Sequence, residues 1–230
     1  MKRVTKLALG PLLLTQALWT RRRTPRLPEA AGPREGATGS GPLLRLLIVG
    51  DSSAAGVGVV HQRQALAAQL SRHLADLSRR RVHWQLLART GLTSEAALQL
   101  AQSWDPDPAE LALVVLGVND VVDQVPVPRA LAARQALADW LLETVGVRHV
   151  VFAALPPMDR FTALPWPLRA IAGAEARAHD RALAAWAAAC DDVSYAPLGF
   201  SLEPAHLARD GFHPSEVGYR TCGRALAERL

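Results

Sequence analysis

Cysteine is scarce in this chain: Cys190 and Cys222 are two residues in 230, and they have neither a C-x-x-C arrangement nor metal-ligand spacing. A thiolate metal site and a thioredoxin-like redox motif are thereby excluded. The two thiols are read as separate and reduced, with a disulfide between two C-terminal helical segments as the alternative. A membrane-spanning run is missing too. The apolar stretch 7–19 would make about 20 Å of helix against a hydrocarbon core of roughly 30 Å, and Pro11 interrupts it. Gly50, Gly56 and Gly58 follow a strand pattern and precede a helical one, yet no lysine accompanies them. Their spacing fits neither a Walker loop nor a dinucleotide fingerprint, which sets a nucleotide binder aside. No ligand cluster supports metal catalysis, so neither metal nor cofactor is expected. There are no internal repeats.

Charge of one sign is also absent from most of the chain. The formal excess of +5 resides in residues 1–35, which carry eight Lys and Arg against two Glu. The remaining 195 residues hold 18 basic and 19 acidic side chains. No basic stripe with interleaved aromatics is present, so no nucleic-acid partner is expected.

What is present begins with an arm. Residues 1–23 run from Met1-Lys2-Arg3 through the apolar stretch to Arg21-Arg22-Arg23. Three readings stay open: a membrane-surface anchor giving peripheral membrane contact, an arm packed on the protein's own surface, and a signal peptide. Arginines where a small-residue cleavage site belongs oppose export, and they suit an anionic leaflet. Localisation follows the same division, membrane-associated or cytoplasmic on the first two readings and exported on the third. Residues 24–42, rich in Pro, Gly, Ala and Glu, read as an irregular linker, which makes 1–42 an appendage to a domain over 43–230.

From residue 43, strand and helix patterns alternate about five times. Strands are expected at 45–49, 81–88, 111–116, 148–154 and 193–196, and helices at 61–77, from Thr93, at 128–144, 170–189 and 214–229. The run 111–116 is continuously apolar, as for a strand buried on both faces. The pattern predicts an α/β fold, a three-layer α/β/α sandwich with a flavodoxin-like parallel five-stranded sheet.

In such a sheet the loops at the carboxyl ends of the strands line one crevice. Gly50-Asp51-Ser52-Ser53 follows the first strand, Arg89-Thr90-Gly91-Leu92 the second and Gly117-Val118-Asn119-Asp120 the third, while Asp210-Gly211-Phe212-His213-Pro214 precedes the last helix. A hydroxyl becomes a nucleophile when an imidazole takes its proton, and a third group must orient that imidazole. Asp210, three residues before His213 around Gly211, can turn toward the ring within one tight segment. A serine amide, a glycine amide and an Asn side chain can together stabilise an oxyanion.

These four blocks, in this order, resemble the SGNH, or GDSL-type, hydrolase superfamily, in its bacterial lysophospholipase-like esterase branch. The matching frame covers residues 45–225. The resemblance implies Ser52 as nucleophile, His213 as base and then acid, and Asp210 as the orienting carboxylate. It implies an oxyanion hole from the Ser52 amide, the Gly91 amide and the Asn119 side chain, and an acyl-enzyme intermediate. Ser53 stands where the family's first block often has Leu, which leaves a Ser52/Ser53 ambiguity that the register resolves toward Ser52. No G-x-S-x-G elbow is present, against an ordinary α/β-hydrolase. Asp51 and Asp120 are read as structural.

Pro156, Met158, Phe161, Leu164 and Trp166 offer an apolar wall near the crevice, or else cover the sheet edge. With the arm, they favour a small-molecule ester of medium apolar acyl or lysophospholipid type. A carbohydrate O-deacetylase and a non-catalytic binding member of the fold are the alternatives.

Overall fold

The structure is a computed structural model that describes residues 3–230, with side chains from Leu9 onward. The basic start at Met1 and Lys2 lies outside the described residues. Helix α1 (Arg3–Arg23) includes Pro11, so the proline does not end it. No helix among the described residues is long and apolar enough to cross a membrane.

Strands β2 (Leu43–Gly50), β3 (Arg81–Ala88), β4 (Leu111–Val115), β5 (His149–Ala153) and β6 (Val193–Ala196) pair in parallel, matching the five expected. The sheet nevertheless has six strands, since β1 (Glu35–Thr38) joins its edge in the order β1-β3-β2-β4-β5-β6. The extra strand comes from the segment read as irregular linker and pairs antiparallel with β3. Its Glu-Gly-Ala-Thr sequence has little strand propensity of its own. The open edge of β3 supplies the hydrogen bonds, and Gly36 lets the backbone lie on the Trp84 ring, where a Cβ would come within 2.9 Å.

Strand β2 is apolar on both faces because each face is covered. Leu46 and Ile48 pack with helices α2 (Leu66–Ser78) and α7 (Glu216–Ala227) through Leu66, Leu70, Tyr219 and Leu226. Leu47 and Val49 pack with α3 (Ser94–Gln102), α5 (Val127–Glu143) and α6 (Leu168–Ala187) through Ala97, Leu137, Leu141 and Leu183. Truncating any of these buried leucines to Ala costs about 2–5 kcal/mol. Local chemistry sets the helix starts. The Thr93 hydroxyl accepts from Ala96 N at 3.3 Å and the Ser215 hydroxyl from Gly218 N at 3.1 Å. Pro214 therefore lies before the cap of α7, not in its first turn. One short helix escaped the sequence pattern, α4 (Val118–Val122), which carries Asn119 and Asp120. Cys190 and Cys222 are unpaired.

Candidate active site

Strand β2 ends at Gly50, where a Cβ would meet Ala54 and lie 2.8 Å from the Val115 carbonyl. Only glycine fits so close to Ala54 and Val115, and the turn that follows presents Ser52 at the crevice. Asp51 fixes the turn by accepting the Ser53 N–H at 2.9 Å. Ser53 thus spends its backbone on Asp51, whereas Ser52 Oγ lies 2.9 Å from His213 Nε2.

On the other side of that imidazole, His213 Nδ1 lies 2.6 Å from Asp210 Oδ2. The second Asp210 oxygen accepts the Phe212 and His213 N–H groups, each at 3.0 Å. Burial alone would raise the Asp210 pKa, but the His213 ring and these two amides outweigh it and hold the carboxyl below its usual range. An ionised Asp210 keeps the proton on Nδ1, which leaves the Nε2 lone pair for the Ser52 hydroxyl. The Asp-x-x-His segment does locally what its spacing suggested, while Ser52 arrives from 161 residues away.

Pairing of the strands places the remaining groups. Gly50 of β2 is opposite Ala88 of β3 on one side and Val115 of β4 on the other, so Ser52 emerges between Gly91 and Asn119. Gly91 has φ +85°, is exposed, and has no atom within 4 Å of a notional Cβ, so its backbone rather than space demands glycine. The N–H groups of Ser52 and Gly91 make no hydrogen bond among the described residues. Asn119 Nδ2 donates to Leu92 O at 3.0 Å, which orients the amide. Its second hydrogen has only a long contact, 3.4 Å, to Asp51 Oδ2. The arrangement can therefore offer two backbone donors and one side-chain donor to an oxygen beside Ser52.

Beneath the crevice lies a network with no counterpart in the sequence reading. Asp120 Oδ2 accepts from Arg134 Nη2 at 2.9 Å and from Ser94 Oγ at 2.5 Å, and Asp120 Oδ1 accepts the Ser94 N–H at 3.0 Å. Both members of the ion pair are 1 % exposed. Asp120 is structural, as read, and serves the start of α3 rather than its own helix. The signal for Arg134 was its position: it falls on the buried stripe Ala130, Leu137, Ala138, Leu141 of α5.

The apolar wall differs from expectation. Pro156 and Phe161 do line a cavity with Ser52, joined by Leu198, Phe200, Leu202 and Phe212. Met158 and Leu164 are core residues packed on Ala176 of α6, and Trp166 is 72 % exposed beside α1. Six of the fourteen lining residues come from 198–212, a segment too irregular to show a period. The arm touches the end of the Pro-rich loop and the start of α6 instead: Gln16 Nε2 donates to Trp166 O at 2.8 Å, and Gln16 Oε1 accepts from Leu168 N at 3.2 Å.

Comparison with known proteins gives the family and the fold. The model of the GDSL-like lipase/acylhydrolase family matches residues 48–221. A GDSL-like esterase of Mycobacterium tuberculosis is 30% identical over 232 residues, covering 90% of this chain and 72% of the relative. The crystal structure of a lipase from a goat rumen metagenome superposes with a TM-score of 0.66 at 17% identity, over 80% of this chain and 95% of that one. A family 3 carbohydrate esterase of Clostridium thermocellum gives 0.61 at 18% identity, over 81% and 94%. The two structures share the fold, and the family match adds the chemistry: this chain belongs to the GDSL-like lipase/acylhydrolase family and is an esterase-type hydrolase.

Proposed function

We propose that the protein hydrolyses carboxylic esters or thioesters of medium apolar acyl chains, lysophospholipids included, through an acyl-enzyme on Ser52. The observation that carries the reading is the unbroken relay from Asp210 Oδ2 to His213 to Ser52 Oγ, at 2.6 and 2.9 Å, beside an apolar cavity. His213 takes the Ser52 proton as Oγ attacks the carbonyl carbon. Charge developing on the carbonyl oxygen meets the Ser52 and Gly91 amides and Asn119 Nδ2, and His213 then protonates the leaving alcohol or thiol. Water, deprotonated by His213, releases the acid and restores Ser52. Leu198, Phe200, Leu202 and Phe161 suit an acyl chain better than a sugar, which ranks the deacetylase reading second.

Peripheral membrane contact through residues 1–23 forms part of the same proposal. Helix α1 exposes Leu14, Leu18 and Trp19 and ends in Arg21-Arg22-Arg23, a combination suited to an anionic lipid surface. Cosedimentation with anionic vesicles that survives deletion of residues 1–25 would end that part.

The chemical test uses p-nitrophenyl esters of increasing chain length with wild type, Ser52→Ala and Ser53→Ala. Loss of activity and of fluorophosphonate labelling in Ser52→Ala alone is expected. Activity that survives Ser52→Ala but not Ser53→Ala would overturn the nucleophile.

A further inference from the structure

The two backbone amides offered to the oxyanion come from different loops, and one segment upstream of the family match holds both. At residues 30–31 this segment is tied to the loop that follows Ser52. Ala31 N donates to Val60 O at 2.9 Å, and Gln62 N donates back to Ala31 O at 2.9 Å. Gln62 Nε2 bridges Ala30 O and Ala55 O at 3.3 and 3.0 Å. Ala30 is 7 % exposed and seats against Gly56, where a Cβ would lie 2.7 Å from the Ala30 methyl.

One residue earlier, the same segment reaches the other loop. Glu29 Oε1 accepts both the Thr90 N–H, at 2.7 Å, and the Thr90 hydroxyl, at 2.9 Å. Its other oxygen pairs with Arg34, which also donates to Ala88 O. Arg34 O accepts Leu86 N at 2.8 Å, so residues 29–34 bracket the end of β3. Gly91 itself is exposed, its N–H makes no hydrogen bond among the described residues, and a Cβ there would meet nothing within 4 Å. Its orientation depends on the anchors of Thr90 and Leu92, and Glu29 is the anchor of Thr90.

We infer that Glu29 is a positioning residue for the oxyanion hole: through Thr90 it aims the Gly91 amide, while Ala30 and Ala31 fix its distance from the Ser52 amide. The inference rests on the acyl-enzyme reading above. A carboxylate suits the task because one oxygen must accept two donors at once, and charge-assisted bonds hold such geometry more firmly than neutral ones. Gln keeps an acceptor oxygen at this position and Ala keeps none.

Removing an oxyanion donor outright costs on the order of 10²–10³ in kcat, so a donor left in place but loosened should cost less. The test compares wild type, Glu29→Ala and Glu29→Gln in ester hydrolysis and in affinity for phenylboronic acid, which adds reversibly to the serine oxygen as a tetrahedral adduct. The expected result is a kcat about 10- to 100-fold lower in Glu29→Ala with KM within about 2-fold, boronate affinity falling in parallel, and Gln restoring most of both. Unchanged kcat in Glu29→Ala would overturn the inference. A loss shared by KM and melting temperature, with no rescue by Gln, would also overturn it and assign Glu29 to folding alone. If Glu29→Ala does not fold, Thr90→Val removes only the hydroxyl donor and carries the same boronate comparison. Ser52→Ala separates the two claims. Activity in that variant refutes the acyl-enzyme reading, whereas an inactive Ser52→Ala beside a fully active Glu29→Ala refutes only the positioning role.

Discussion

Replacing Asp51 by Asn should make folding stability less dependent on pH in a calculable way. Asp51 is 2 % exposed, and burial is the largest influence on its carboxyl, which titrates at about 6 rather than about 3.8. The Ser53 N–H bond and the nearby His213 oppose that rise, and Asp120 adds to it. With the folded value above the unfolded one, the native state binds more protons between the two. Stability from this group is full below the unfolded pKa and is lost as pH rises through the folded value. A gap of about two pKa units corresponds to about 3 kcal/mol, lost across the interval from about pH 4 to about pH 7. Asn keeps an acceptor for Ser53 N–H but cannot titrate. The assay is urea unfolding of wild type and Asp51→Asn across that interval, taking the difference at each pH. Subtraction removes the contributions of groups that do not interact with Asp51 and any constant cost of the amide. The variant should gain about 3 kcal/mol relative to wild type from the acid to the neutral end. A difference that stays flat with pH would refute the reasoning, whatever its absolute size.

Other outcomes follow from the same contacts. Arg134→Leu should cost about 3–5 kcal/mol by stranding Asp120, and Asp120→Leu combined with it should cost less than the two single changes summed, as measured by a denaturant double-mutant cycle. Asp210→Asn should lower kcat by on the order of 10³–10⁴ with little change in KM, because the imidazole loses the partner that fixes its tautomer; steady-state kinetics decides this. Asp210 is held below the usual carboxylate range, so its contribution to stability is present above the unfolded pKa and lost only as pH falls through its lower folded value. Phe200→Ala should move the preferred p-nitrophenyl ester toward longer chains by enlarging the cavity beside Ser52. The Cys222 thiol, pushed up to about 12 by burial, should resist iodoacetamide near pH 8 in the folded protein and react in urea, as followed by mass spectrometry.

Strand and helix positions were legible because their causes are local. Alternation or continuity of apolar residues marks 81–88 and 111–116, and a Thr at 93 ahead of an apolar stripe marks a helix start. The four blocks were equally legible, since a parallel sheet gathers the carboxyl ends of its strands whatever the loops contain. Segment 35–38 was not legible, because a Glu-Gly-Ala-Thr strand exists only through the edge of β3 that accepts it. Arg134 falls on the buried stripe of α5, but its partner was not legible, because Asp120 lies on another helix and only packing brings the two together.

By itself, then, the sequence determined the α/β architecture and the serine, glycine, asparagine and histidine blocks, through periodicity and short-range spacing. The register of the first block pointed to Ser52, but only tertiary structure could bring its hydroxyl to the imidazole, since that contact spans 161 residues and depends on the direction in which the turn after Gly50 aims the side chain. Tertiary structure also decided that Leu198, Phe200 and Leu202 line the cavity and that Glu29 grips Thr90. Each of these pairings depends on distances between chain segments that no local pattern encodes.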